Sequence, residues 1–152
     1  MLQRIFPKQF DNNYRGLWTA VWLFVPLMLV KTLQGVESAI NARETLVRAD
    51  GIPVDQYASG AAETVVALFA LLGMYVLIIP LQSLIVMVRY RSMIPFMYFC
   101  FIVVQIGARV LNTINPIARP EGPPIGFTVS LILFALTLIG FALSLQDRRP
   151  NV

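Results

Sequence analysis

TVVALFALLGMYVLIIPLQSLIVMV, residues 64–88, is a run of 25 residues without a single charged side chain. A helix rises about 1.5 Å per residue, so roughly 20 residues cross the ~30 Å hydrocarbon core of a bilayer. Between residues 65 and 79 the run has no polar face, whereas a helix on the surface of a soluble bundle keeps one. The run therefore predicts a transmembrane helix.

Three further apolar runs of comparable length occupy residues 17–36, 93–111 and 125–145. The chain is 57% hydrophobic and 13% charged, whereas about 25% of the residues in a soluble domain are charged. A membrane β-barrel would show short segments of alternating polarity, and these runs do not alternate. We therefore predict an all-α, polytopic membrane protein with a single membrane domain over residues 1–152 and four transmembrane helices in an up-down bundle.

The segment between the first and second runs has a helical pattern of its own. Apolar residues continue at helical spacing beyond the first run, as Leu33, Val36, Ile40 and Val47. Asp50-Gly51, followed by Pro53, is a turn signal. The sequence therefore predicts that the first helix extends to about residue 48 and that the outer excursion between helices 1 and 2 is partly helical.

Short connections and small residues indicate how the helices pack. Only residues 89–92 separate the second run from the third, so we expect these two helices to form a tight antiparallel hairpin. Small residues that permit close helix approach are Ala67, Ala70 and Gly73 on the second helix and Gly140 and Ser144 on the fourth.

Pro80 lies inside the second run and has no backbone N–H to donate. It should therefore kink the helix and leave the carbonyl of Val76 without its helical partner. The side chains of Gln82 and Ser83 are candidate partners for that carbonyl.

Arginines flank the ends of the runs unevenly. Those on the side of the N-terminus are Arg15, Arg89, Arg91 and Arg148. Because short cytoplasmic segments carry the excess of Lys and Arg, both termini are predicted to be cytoplasmic, in a bacterial cytoplasmic (inner) membrane. The net charge of +4 is then attributed to the basic residues that set the orientation of the chain in the membrane. No basic stripe with interleaved aromatic residues points to a nucleic-acid partner.

Missing residue types restrict the chemistry. The chain has no histidine, the commonest metal ligand and the usual general base. Its single cysteine, Cys100, lies within the third run and cannot form an internal disulfide. No carboxylate lies in the central turns of any run, where a proton-coupled exporter needs one. We therefore predict no catalytic residue, no metal site and no cofactor, and we favour a protein that is not an enzyme.

Polar side chains gather near the outer ends of the predicted helices. The ligand-binding candidates are Lys31, Gln34, Glu37, Glu63, Gln105, Arg109 and Asn112. Residues 105, 109 and 112 are spaced i, i+4 and i+7 and therefore share one helical face.

Two interpretations of these polar residues are open. In the first, Lys31 and Arg109 extend to the interface and Gln105 bonds a neighbouring helix, which requires no function. In the second, the groups close into an outward-facing pocket that holds an anionic headgroup or a substrate carboxylate. Arg109 would pair with Glu63 or Glu37 in that pocket.

One stretch near the C-terminal end resembles a known family. Residues 108–112, Ala-Arg-Val-Leu-Asn, with Arg119-Pro120 and the final apolar run, are similar to helices three and four of the membrane-associated eicosanoid and glutathione metabolism family. The resemblance covers less than a third of the chain and implies a small membrane enzyme in which Arg109 takes part in thiol activation. The chain departs from the family at Asn112, where a histidine is frequent. Only Glu63 lies near the family's acidic-basic-asparagine signature.

The function favoured by the sequence is that of a small, non-catalytic membrane protein, an accessory, assembly or scaffold component. The alternatives are a lipid or hydrophobic-ligand binder and a small membrane enzyme similar to the eicosanoid and glutathione metabolism family. Either would have its polar site at the outer ends of helices 1–3. Membrane lipids are the expected partners, and a larger membrane protein or a second copy of the chain are further candidates.

Overall fold

The computed structural model describes residues 2–117 and 124–146. All regular elements in these ranges are helical, as predicted. The helices are α1 (Leu2–Ile5), α2 (Trp18–Ile40), α3 (Ala42–Arg48), α4 (Ser59–Arg89), α5 (Ile94–Ile114) and α6 (Ile125–Ser144), with short 3₁₀ turns at Val54–Gln56 and Arg91–Met93. Of these, α2, α4, α5 and α6 are long and apolar enough to cross a membrane. The prediction of four such helices is confirmed.

The outer excursion folds back onto α4. Helix α2 ends at Ile40, and α3 begins one residue after Asn41, whose N–H still donates to the carbonyl of Glu37 at 2.8 Å. Gly51 has a φ of 66°, a conformation that glycine adopts without steric cost. Buried Leu46, Ile52 and Val54 then pack against apolar residues of α4. The break at Asp50-Gly51 is thus a turn that brings α3 against the start of α4.

Glycines bring α2 and α4 into close contact. A Cβ on Gly35 would lie 2.7 Å from a side-chain carbon of Leu77, and a Cβ on Gly73 would meet the backbone of Ala39. Residue numbers rise along α2 as they fall along α4, so this pair is antiparallel. The predicted neighbours α4 and α5 are also in contact, but α4 packs most extensively against α2.

An aromatic core lies toward the opposite end of the bundle, where α2, α5 and α6 meet. The rings of Phe24 and Tyr98 are 5.1 Å apart between centroids, and that of Phe101 lies 6.4 Å from Phe24. Edge-to-face pairs of this kind contribute beyond the area they bury. The N-terminal lead covers this end, since Phe6 contacts two further rings of α5 and Asp11 exchanges backbone and side-chain hydrogen bonds with Ser92.

Pro80, the residue predicted to kink the second helix, is buried within α4. The hydroxyl of Ser83 donates to the carbonyl of Ile79 at 2.8 Å, and not to that of Val76 as the sequence suggested. Val76 itself lies beside a cavity.

Candidate functional site

A cavity of about 590 Å³ lies between α2, the end of α3, α4 and the start of α6, and we call it the polar cavity because nine of its fourteen lining residues have polar side chains. The N–H of Gly126, in the first turn of α6, donates to the carbonyl of Ala49 at 3.0 Å and holds the two elements together. The lining residues with polar side chains are Lys31, Gln34, Glu37, Ser38, Glu44, Thr45, Arg48, Asp50 and Ser130. Three of the predicted site residues on α2 therefore open into one space.

Lys31 is the innermost charged group of this cavity on α2. Its Nζ donates to Oε1 of Gln34 at 3.1 Å, and its side chain is half-buried. Within residues 2–117 and 124–146, Lys31 forms no ion pair. An ammonium group carries three donors, so two remain for a ligand.

A second cavity, of about 240 Å³, lies between α2, α4 and α5. Its walls are mainly apolar and consist of Lys31, Tyr75, Val76, Ile79, Pro80, Phe101, Val104 and Gln105. Lys31 and Val76 line this apolar cavity and the polar one alike. Lys31 therefore lies on the wall of both spaces.

Gln105 connects the apolar cavity to α6. Its Nε2 donates to Oγ1 of Thr137 at 3.1 Å, and that hydroxyl donates to the carbonyl of Leu133 at 2.6 Å. The Oε1 of Gln105 is buried and accepts no hydrogen bond from the described residues. The expected bond from Gln105 to a neighbouring helix is therefore present at its Nε2, whereas its Oε1 is an unused acceptor.

Arg109 lies against α6 and forms no ion pair with the described acids. Its guanidinium donates to the carbonyl of Gln105 at 2.9 Å and to the carbonyl and hydroxyl of Ser130 at 3.1 and 3.3 Å. It also stacks on Phe134, 4.3 Å from the ring centroid. The anticipated pairing with Glu63 or Glu37 is thus replaced by carbonyl and aromatic contacts. Ser130, however, also lines the polar cavity, so Arg109 places its positive charge beside that cavity.

The carboxylates of the polar cavity lie toward its outer side. Glu37 accepts a hydrogen bond from Nδ2 of Asn41 at 2.8 Å and has no cationic partner among the described residues. Glu44 pairs with Arg48 at 2.7 Å. Asp50 lines the same wall.

Two predicted site residues lie elsewhere. Glu63 lines a separate groove of about 680 Å³ between α3 and α4, with Arg43 and Asp55, which form their own ion pair at 2.7 Å. Asn112 is exposed on α5 and lines neither the polar nor the apolar cavity. The cluster therefore consists of Lys31, Gln34 and Glu37, with Gln105 and Arg109 at its flanks.

Sequence reasoning missed the residues that other elements contribute. Glu44 and Asp50 enter the cavity only because α3 folds back, and Ser130 enters because α6 starts beside Ala49. A single serine or an acid in a surface loop carries no local signal of such convergence.

The chain matches no family model, no curated protein and no solved structure.

The arrangement is suited to an amphiphile. The apolar chain of a ligand can occupy the apolar cavity beside Lys31. The polar groups of the same ligand can accept a hydrogen bond from the Lys31 ammonium and donate one to Glu37. Ligand sites typically combine mostly apolar walls with a few placed polar groups. Both conditions meet at Lys31.

Proposed function

We propose that this protein is an integral protein of the bacterial cytoplasmic membrane that binds an amphiphilic lipid near the outer surface. Its four long helices would cross the membrane as an up-down bundle with both termini in the cytoplasm. Antiparallel contacts between α2 and α4 and between α5 and α6 support that arrangement. The arginines on the side of the termini support the orientation.

The observation that carries the proposal is the position of Lys31, which lines both the polar and the apolar cavity. A cation between a polar and an apolar cavity is positioned for the boundary between a lipid's headgroup and its chain. A charge at this depth in a membrane is costly unless it meets water, an acid or a ligand. A phosphate or carboxylate on Lys31 would supply the missing counter-charge.

This role is one of binding and not of turnover. The groups around Lys31 are amides, hydroxyls and carboxylates: Gln34 accepts from Lys31, Glu37 accepts from Asn41, and Ser130 accepts from Arg109. A bound lipid would be held by them without a covalent step. The site residues therefore serve as ligand contacts and none is assigned to catalysis.

The experiment compares the chain's two lysines. Protein purified in mild detergent is loaded with phospholipid, and retained lipid is counted by native mass spectrometry. A hydrogen bond to a charged group contributes about 1.5–3 kcal/mol, so Lys31→Met should retain about tenfold less lipid. Lys8→Met, in the exposed N-terminal lead, should retain as much as the unaltered protein. Equal retention by both variants would remove the proposal.

A second pair of variants tests the apolar cavity with every charge intact. Val104 lines this cavity and its neighbour Val103 does not. Val104→Phe should fill part of the space and lower lipid retention, whereas Val103→Phe should leave it unchanged. Melting temperatures of all variants establish that each is folded.

An accessory or scaffold role is the second candidate, and helix α4 favours it. Most of its apolar side chains are exposed along 31 residues, which leaves a long surface for lipid or for another membrane protein. A photo-crosslinker at exposed Leu72 should give one discrete product in cells if a partner binds there. The same photo-crosslinker at Leu131 on α6 is the control. If both sites give the same diffuse set of products, this role is contradicted.

A further inference from the structure

The charges along the polar cavity follow a definite order. Along α2, Lys31 is followed by Gln34 and then by Glu37 in the lining of the polar cavity, and Lys31 also lines the apolar cavity. From residue 31 to residue 37 the helix rises about 9 Å. The site therefore has an apolar compartment beside the cation and a carboxylate farther along the same helix.

Neither end of this series is neutralised by another of the described residues. Lys31 and Glu37 form no ion pair within the described ranges, whereas Glu44 and Arg48 neutralise each other. Arg109, through Ser130, adds positive charge at the inner end. The potential thus changes sign along the cavity.

A wholly anionic headgroup would satisfy Lys31 but would be repelled by the carboxylate of Glu37. A wholly cationic headgroup would be repelled by the ammonium of Lys31. A zwitterion with its phosphate inside and its ammonium outside matches both ends, because complementary charges attract and like charges cost affinity.

We propose, as an extension of the function proposed above, that this site selects a zwitterionic phospholipid of the phosphoethanolamine type. Its phosphate accepts hydrogen bonds from Lys31, and its ammonium donates to Glu37. One chain enters the apolar cavity, whose 240 Å³ holds about eight chain atoms if each takes about the ~30 Å³ of a water molecule. The rest of the lipid remains in the bilayer.

The test uses two lipids with identical acyl chains, phosphatidylethanolamine and phosphatidylglycerol, competing for the full-length protein in mixed micelles. Bound lipid is counted by native mass spectrometry. The unaltered protein should prefer phosphatidylethanolamine by about threefold, as expected for one partly exposed charge pair. Glycerophosphoethanolamine, which has the headgroup and no chains, should not displace it.

Variants then assign the preference to the carboxylate. Glu37→Gln should bind both lipids equally, and Glu37→Lys should prefer phosphatidylglycerol. Lys31→Met should bind each of them about tenfold less. Glu63→Gln, in the separate groove, is the matched control and should keep the preference.

Two outcomes separate this inference from the function on which it rests. If the protein retains lipid through Lys31 but shows no preference, or prefers phosphatidylglycerol, lipid binding stands and zwitterion selection is overturned. If the protein retains no lipid, or Lys31→Met retains as much as the unaltered chain, both proposals are overturned.

Discussion

The hydroxyl of Tyr98 donates a hydrogen bond of 2.7 Å to the backbone carbonyl of Ala20, and this bond joins α5 to α2 in the buried core. Helix α6 contributes the space that the ring needs, because a Cβ on Gly140 would overlap the Tyr98 hydroxyl. Three of the four long helices are therefore held in register at one point.

Gly140→Ala should destabilise the protein because the added methyl forces this ring to move. Overpacking of a filled interior costs about 1–3 kcal/mol. Gly107→Ala is the matched control, since a Cβ there meets nothing within 4 Å, and replacing glycine in a helix gains about 0.5–1 kcal/mol. Melting temperatures in detergent should fall for the first variant and stay level or rise for the second. Equal changes would show that Gly140 is not a contact point.

The bond between Gln105 and Thr137 predicts strong non-additivity. Thr137→Val leaves the buried amide without its acceptor, which costs about 1–3 kcal/mol. Gln105→Leu removes the donor together with the unsatisfied Oε1, so it should cost less. The double variant should be more stable than Thr137→Val alone, because replacing both partners by apolar groups can be nearly neutral. A double-mutant cycle on melting free energies measures this, and strictly additive effects would contradict the contact.

The four long helices were predictable because each is a continuous apolar run, a signal contained in neighbouring residues alone. In the contact between α2 and α4, the contribution of α4 was predictable and that of α2 was not. Gly73 belongs to a recognisable small-residue face, whereas its counterpart Gly35 is a single glycine in a stretch of mixed polarity. Only the fold shows that the two glycines lie on facing helices.

The candidate site divides in the same way. Lys31, Gln34 and Glu37 are three residues apart on one helix, so spacing alone places them together. Ser130 and Asp50 join them through tertiary contacts of α6 and of the outer turn. The sequence indicated the depth of Arg109, but the partners it suggested, Glu63 and Glu37, are not the ones found. Carbonyls and aromatic rings also bind a guanidinium, and the sequence does not show which of them lie near it.

The stacking of Arg109 on Phe134 should contribute measurably to stability. Cation–π contacts contribute about 0.5–2 kcal/mol, more when desolvated. Phe134→Leu should therefore lower the melting temperature more than Phe127→Leu, whose exposed ring lies on the same helix. Arg109→Lys should also be destabilising, because an ammonium cannot reproduce the planar fork that reaches both Gln105 and Ser130. If the two phenylalanine variants melt alike, the stacking has no energetic role.

Tyr14, which lies outside the four long apolar helices, provides a test at high pH. Its ring is buried, and its hydroxyl has no hydrogen-bond partner among the described residues. Burial raises the pKa of the Tyr14 phenol above its usual value, against a smaller opposing effect of Arg4. The folded protein therefore holds this proton more tightly than the unfolded chain does.

A pKa raised by folding gives stability that is fully present below the unfolded pKa, near 10 for tyrosine, and is lost as the pH rises above it. The melting temperature of the unaltered protein should therefore decline between about pH 9 and about pH 11, and Tyr14→Phe should decline less. Tyr57→Phe, at an exposed ring, should decline as the unaltered protein does. If Tyr14→Phe and the unaltered protein lose stability in parallel, the Tyr14 phenol ionises as readily in the folded state as in the unfolded state. The N-terminal lead would then not be packed against the bundle as described.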